Sequence, residues 1–338
     1  MVYIIAEIGV NHNGNVDIAK ELVNLAKQSG ANAVKFQTFK TNKLVRKGAD
    51  KADYQKTNDT TETQYDMLKK YELSFDQFRE IKKYCDFVNI EFISTPFDKE
   101  SAELLNDLNV NYFKIGSGDL TNYPLLRTVA SFGKNIILST GMSNLSEVEK
   151  AVDFIRYCVG FNNDLIVLHC VSSYPTKSED VNMRSLTEFR TMEQNNDINA
   201  IGFSDHTHGS LASSIAIACG AKYIEKHFTL SKFMKGPDHK ASLDGPELID
   251  FIQQLRETEI ILGSSIKQCQ QSEINVKNVA RRSLAYNKSL FKGHIIEWND
   301  LIGLRPADGI SAHLVTNYIG KELQVNVNEN DFLNENDF

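Results

Sequence analysis

Apolar and polar positions along the first two thirds of the chain follow two rhythms. Short β-rich runs lie near residues 3 to 10, 33 to 39, 91 to 97, 112 to 118, 135 to 141, 165 to 171, 200 to 206 and 223 to 229, with helical patterns between them. The first unit is typical: Tyr3 to Val10, then Asn and Gly residues, then apolar residues at helical spacing from Val16 to Gln28, up to Gly30. Eight strand-helix units over about 260 residues match a TIM (β/α)8 barrel of the α/β class; an open doubly wound sheet rarely needs so many. Pro246 to Leu262 reads as the closing helix. The segment from 40 to 73, rich in Lys, Thr, Asn and Asp, lacks clear periodicity and predicts a long loop with a short helix over the barrel mouth, where a lid could form.

The character of the chain then changes. A barrel domain over 1–262 is expected to lead through a polar linker, 263–279, into a small, mainly β domain over 280–338. Its β-rich runs are Ser283 to Tyr286, His294 to Ile296 and Leu323 to Val327, separated by turn residues such as Lys292-Gly293 and Asp308-Gly309. At about 60 residues it has little core of its own and is expected to lean on the barrel or on another subunit. The end, from Glu329 to Phe338, repeats ENDF and reads as a frayed, solvated tail.

A barrel places its active site at the C-terminal ends of its strands. Polar residues stand there in nearly every unit: Glu7 with Asn11 and His12, Lys35 with Gln37, Ser94 with Thr95, Lys114 with Ser117 and Asp119, Ser139 with Thr140, and His169 with Ser172 and Tyr174. Any one could merely solvate a loop; the set is better explained by a shared polar cleft, since buried polar groups need partners. In the last two runs, Ser204 and His206 share a face, as do Glu225 and His227, with Lys226 on the other. A lone histidine at a strand end usually bonds backbone, but two imidazoles and a carboxylate on neighbouring strands suit manganese, iron or zinc, with oxygen-rich surroundings leaning towards manganese. Lys35 and Lys114, with Thr95, Ser117, Ser139 and the glycines of Gly116-Ser117-Gly118, make a pocket for a compact, doubly charged anion such as a phosphate. A metal on His206 and His227 beside Glu7 or Glu225 is the frame of carbonyl addition chemistry.

Composition narrows the setting. The net charge of -7 and the absence of a long basic run argue against nucleic acid as the main partner. There is no stretch of about 18 consecutive apolar residues and the N-terminus runs straight into a strand, so a cytoplasmic protein with no membrane partner is expected. Cys85, Cys158, Cys170, Cys219 and Cys269 are scattered, odd in number and without a C-x-x-C pair, which predicts buried, reduced thiols.

Ten strings carry a resemblance that runs over essentially the whole chain. They are AEIGVNHNG from Ala6, VKFQTFK from Val34, STPFD from Ser94, FKIGSGD from Phe113, LSTGM from Leu138, HCVSSYPT from His169, GFSDHT from Gly202, EKHFT from Glu225, GPDH from Gly236 and LRPADG from Leu304. Together they resemble the sialic acid synthase family. The resemblance implies a metal-dependent transferase reaction in which phosphoenolpyruvate condenses with an N-acylated amino sugar to give a nine-carbon 2-keto acid and phosphate. It also implies a TIM barrel followed by an antifreeze-like (SAF) domain. His206 and His227 would hold the metal, usually manganese, with magnesium or cobalt as alternatives. Lys35, Thr95, Lys114, Ser117 and Ser139 would bind phosphoenolpyruvate, with Ser172 near the phosphate. Gln37, Tyr174 and Asp238 match positions that contact the sugar, and Asp119 stands where it could read a sugar substituent. Arg305 matches an arginine that one subunit inserts into the other's site, which implies a domain-exchanged homodimer. Asp119 replaces a more usual glutamate, and Ser172 an asparagine of some members. The first reading is an N-acetylneuraminate synthase using N-acetylmannosamine; the alternative is a legionaminic or pseudaminic acid synthase using a 2,4-diacetamido trideoxy hexose. Two readings of other classes are a Schiff-base aldolase acting through Lys35 or Lys114, and a C-terminal carbohydrate- or ice-binding module.

Overall fold

Eight parallel strands, in chain order, close on themselves: β1 (Tyr3–Gly9), β2 (Ala33–Thr38), β3 (Glu91–Pro96), β4 (Tyr112–Ile115), β5 (Asn135–Ser139), β6 (Leu165–Cys170), β7 (Ala200–Asp205) and β8 (Tyr223–His227). This computed structural model describes residues 1–52 and 61–338. Helices follow every strand, as the predicted (β/α)8 alternation requires, and the last, Gly245–Leu262, is capped by Asp244. Helix Val16–Ser29 shows how each unit is specified. Ala19, Leu22, Val23 and Ala26 are buried on one face, the Asn15 side chain accepts from the amides of Asp17 and Ile18, and Gly30 closes the helix at φ 90°.

The strands alternate in face, so the barrel interior is built in layers. Tyr3, Tyr112 and Tyr223 pack together at the N-terminal end, around an apolar layer that includes Ile5, Ala33, Ile93, Ile137 and Ile166. Two residues further along the same strands come Glu7, Lys35, Thr95, Lys114, Ser139 and Glu225, which line a cleft. Gly202 is required by this packing: a Cβ there would lie 2.4 Å from the Tyr223 carbonyl oxygen and 2.5 Å from Leu168 Cδ2. The opposite faces of the strands pack against the helices in the main hydrophobic core.

In the segment from 40 to 73, Thr41–Leu44 forms one turn of helix and Gln64–Tyr71 a short helix, with Met67 and Tyr71 buried beside Val10 and Phe39. The expected lid falls in part on residues 53–60, outside the described residues. Among the described residues, no helix is long and apolar enough to cross a membrane.

The chain divides into two compact units, Met1–Gly263 and Ser264–Phe338. In the second, β9 (Ser283–Tyr286) pairs antiparallel with β10 (Leu301–Leu304) around a core of Leu284, Tyr286, Leu290, Ile296, Tyr318, Leu323 and Val327. The runs at 294–296 and 323–327 are not regular strands; they meet the rest through isolated bridges such as Ile295 with Glu322 and Leu290 with Val327. Two expectations are corrected. The final residues are not a frayed tail: Leu333 is buried, its amide donates to the Leu284 carbonyl, and the Tyr286 hydroxyl donates to Asp337 at 2.8 Å. The cysteines are not all buried either: Cys85 and Cys170 are, Cys158 and Cys219 are half-buried, and Cys269 is exposed in the polar stretch that leaves the barrel.

Candidate active site

The cleft at the C-terminal ends of the strands is a cavity of about 340 Å³. Register decides what faces it. Ser204 of β7 pairs with Glu225 of β8, and Glu7 of β1 pairs with both Lys35 of β2 and His227 of β8. The two lysines and two carboxylates therefore form one buried ionic floor. Lys35 Nζ lies 2.8 Å from Glu7 and 3.7 Å from Glu225, while Lys114 Nζ lies 3.8 Å from Glu225 and donates to the Ser139 hydroxyl at 2.6 Å. The Ser204 hydroxyl donates to Glu225 at 3.0 Å, and Gln37 to Glu7 at 3.4 Å.

The two carboxylates differ in environment. Burial pushes Glu7 up to about 7, against the pull of the Lys35 ammonium. Burial pushes Glu225 up as well, but the ammoniums of Lys114 and Lys35 and the Ser204 hydroxyl outweigh it and hold Glu225 below the ordinary carboxylate value. Burial pulls Lys35 down but Glu225 and Glu7 more than restore it, whereas Lys114 is left below its ordinary value by burial. Lys35 is thus held as a cation rather than as the neutral amine that Schiff-base chemistry needs.

Ser117, Gly141 and Ser172 crowd together on one wall. The Gly141 amide donates to the Ser117 hydroxyl at 2.9 Å, and a Cβ on Gly141 would lie 2.3 Å from Ser172 Oγ. Facing them, the ring of Tyr174 lies 4.1 Å from that of His206 and edge-on to His227 at 5.9 Å. The two imidazole centroids are 5.5 Å apart. His206 Nδ1 donates to the Val171 carbonyl at 2.8 Å, which leaves Nε2 as the lone-pair nitrogen. His227 is held neutral by burial and neighbouring positive charge, and its Nδ1 is buried without a hydrogen-bond partner. Among the described residues no group of three or more His, Cys, Asp or Glu is arranged to hold an ion. The donor set nevertheless fits a divalent ion held by two imidazoles, with its other positions left to small ligands.

The structure gathers Glu7, Lys35, Gln37, Thr95, Lys114, Ser117, Ser139, Ser172, Tyr174, His206, Glu225 and His227 in this one cavity. It does not put Asp119 or Asp238 on the cavity wall. The Asp119 carboxylate accepts from Asn122 at 2.9 Å, and Asp238, in the loop after β8, is pushed up to about 6 by burial. Arg305 belongs to the second unit, where its Nε donates to the Ala280 carbonyl at 3.0 Å. Several polar strand-end residues are satisfied by neighbouring strands or loops instead. Ser94 pairs with Thr38 at 2.7 Å, Thr140 donates to the Leu168 carbonyl, and His169 donates to the Val181 carbonyl at 2.6 Å. Cys170, Phe97, Met142 and Gln64 also line the cleft. Cys170 was detectable, two residues beyond Leu168 on the inward face of β6; Gln64 carries no such signal, because a long connection brings it there.

A parallel (β/α)8 barrel with a cleft of paired lysines and carboxylates beside two imidazoles sets the class of protein. The model of the NeuB family matches residues 22–267. The N,N'-diacetyllegionaminic acid synthase of Legionella pneumophila is 43% identical over 96% of this chain and 91% of its own. The human N-acetylneuraminate-9-phosphate synthase is 34% identical over 98% of this chain and 91% of its own. The crystal structure of an N-acetylneuraminic acid synthetase from Leptospira borgpetersenii, 32% identical, superposes with a TM-score of 0.71 over 81% of this chain and 90% of that one. The chain belongs to the NeuB family, that of the sialic acid synthases.

Proposed function

We propose that this protein condenses phosphoenolpyruvate with an N-acylated amino sugar to give a nine-carbon 2-keto acid and phosphate. The observation that carries the reading is the ionic floor, where Lys35 and Lys114 flank Glu225 beneath a wall of hydroxyls. Lys35 and Lys114 give that floor two cationic groups, suited to a compact anion. Thr95, Ser117, Ser139 and Ser172 add directional donors for the carboxylate and phosphate oxygens.

A divalent ion on His206 and His227, manganese first and magnesium or cobalt as alternatives, would supply Lewis-acid polarisation of the acceptor aldehyde. In the proposed reaction the enol carbon bonds to the aldehyde carbon as the C=O π bond opens and its oxygen takes up a proton; water adds to the phosphate-bearing carbon, and the bond from that carbon to the phosphate oxygen breaks as the added hydroxyl loses its proton, leaving the ketone and phosphate. Glu225, held ionised, offsets the positive charge that develops at that carbon. Glu7, poised near neutrality, takes the proton from the attacking water. Gln37 and Tyr174 face the acceptor from the cavity wall, and Asp238 and Asp119 are the further sugar contacts that the resemblance implies. Arg305 reaches the site of a second subunit in an exchanged homodimer, carried by an antifreeze-like C-terminal unit.

N-acetylmannosamine is the acceptor of the first reading. The higher identity to the Legionella enzyme than to the human one favours the 2,4-diacetamido trideoxy hexose as a second. Phosphate release from phosphoenolpyruvate in the presence of Mn2+, with the two sugars offered side by side, tests both. Release is expected with one of them, and the preferred sugar names the product; release with neither overturns both acceptor readings.

A further inference from the structure

Asp205 and Lys226 form an ion pair on the far side of β7 and β8 from the cleft, and the chemistry above makes no use of it. Their side chains are 0% and 2% exposed, and Asp205 Oδ2 lies 3.0 Å from Lys226 Nζ. The surroundings are apolar: Phe203, Ile224 and Phe251 belong to the same core, and the ammonium sits 5.6 Å from the Phe251 ring centroid. Burying two charges in such a layer is costly, and well-packed hydrophobic residues of similar volume often stabilise a fold as well or better. What an ion pair adds is direction.

Here the direction is specific. Asp205 and Lys226 are register partners, as Ser204 and Glu225 are on the inward face. The carboxylate accepts from the Thr207 amide and hydroxyl, both at 2.8 Å, and from the Ser213 hydroxyl at 2.6 Å. The ammonium donates to the Thr207 carbonyl at 2.5 Å. Both backbone groups of Thr207, the residue after His206, are therefore gripped by the pair. From the other side, the His206 carbonyl accepts from the Thr176 amide and its Nδ1 donates to Val171. Because neighbouring strand residues face opposite ways, anchoring Asp205 and Lys226 outward aims His206 and His227 inward.

We propose that the Asp205–Lys226 pair is a positioning clamp that sets the two imidazoles at the spacing a divalent ion needs. The inference rests on the two-histidine metal reading. In the full-length metal-free protein without substrates, Asp205→Asn and Lys226→Met should each weaken Mn2+ binding ten- to a hundred-fold. The readout is the free-Mn2+ signal in an electron paramagnetic resonance titration, with circular dichroism as the control for folding. Ser213→Ala, which removes one hydrogen bond to the Asp205 carboxylate and leaves the ion pair, should weaken binding a few-fold. The double variant Asp205→Leu/Lys226→Met restores packing without direction, so it should regain thermal stability while Mn2+ binding stays weak. A double variant that recovers wild-type affinity, or folded single variants within two-fold of wild type, overturns the clamp. If the charged single variants fail to fold, Ser213→Ala and the double variant decide by the same criteria. Wild-type protein that binds no Mn2+, or a His206→Ala variant that binds it equally well, overturns the metal reading itself.

Discussion

Glu7 and Glu225 stand on adjacent strands of one barrel, share Lys35 as a partner, and are driven apart in protonation by what else they touch. Glu225 meets a second ammonium and a hydroxyl; among the described residues Glu7 meets Lys35 closely, with a long contact from Gln37. Such a split separates a fixed charge from a proton carrier. Wild-type kcat/KM should therefore rise with pH through about 7, as Glu7 ionises into its base form. Glu7→Gln should lower kcat by about 10²- to 10⁴-fold and abolish that acidic limb. A retained limb in a steady-state pH profile assigns the proton to another group. The inward positions of these residues were readable from alternation alone. Their division of labour was not, because it depends on distances between strands far apart in the chain.

At the scale of elements, the same alternation gives each strand an apolar base and a polar top, as in Tyr3, Ile5 and Glu7 or Tyr112 and Lys114. Gly202 interrupts that pattern on β7 because Tyr223 and Leu168 already fill its place. Gly202→Ala should cost about 2 kcal/mol through overpacking, a fall in Tm on the order of 5 °C. An unchanged melting curve would mean that β8 shifts freely, against the close packing of the layer. Not every polar strand end belongs to the cleft: Ser94 and Thr140 are satisfied by neighbouring strands and His169 by the Val181 carbonyl, contacts that no local pattern announces. Gln64 illustrates the converse, since its short helix reaches the cleft at the end of a connection without periodicity.

At the scale of the molecule, Arg305 is a proposed site residue that lies in the second unit rather than in the barrel. If it serves a partner's barrel, inactive Arg305→Ala and inactive His206→Ala subunits should complement each other. In equal mixture, half the dimers are mixed and each carries one intact site, so about a quarter of wild-type turnover is expected. No turnover in verified mixed dimers counts against the exchange.

Period-two and helical rhythms, turn residues and strand-end chemistry were local, so the eight units, the end of the barrel that holds the cleft and the two histidines could be read from the chain. The final ten residues misled for the same reason: their polar repeat describes solubility, while Leu333 and Asp337 find their partners across the second unit. Closure of the barrel decided the rest. It brought β1 beside β8 and joined Glu7, Lys35, Lys114 and Glu225 in one floor, while the register of β7 on β8 turned Asp205 and Lys226 into a buried pair behind the imidazoles. Those outcomes depend on which strands are neighbours and in what register, and a linear pattern does not carry that information until the chain folds back on itself.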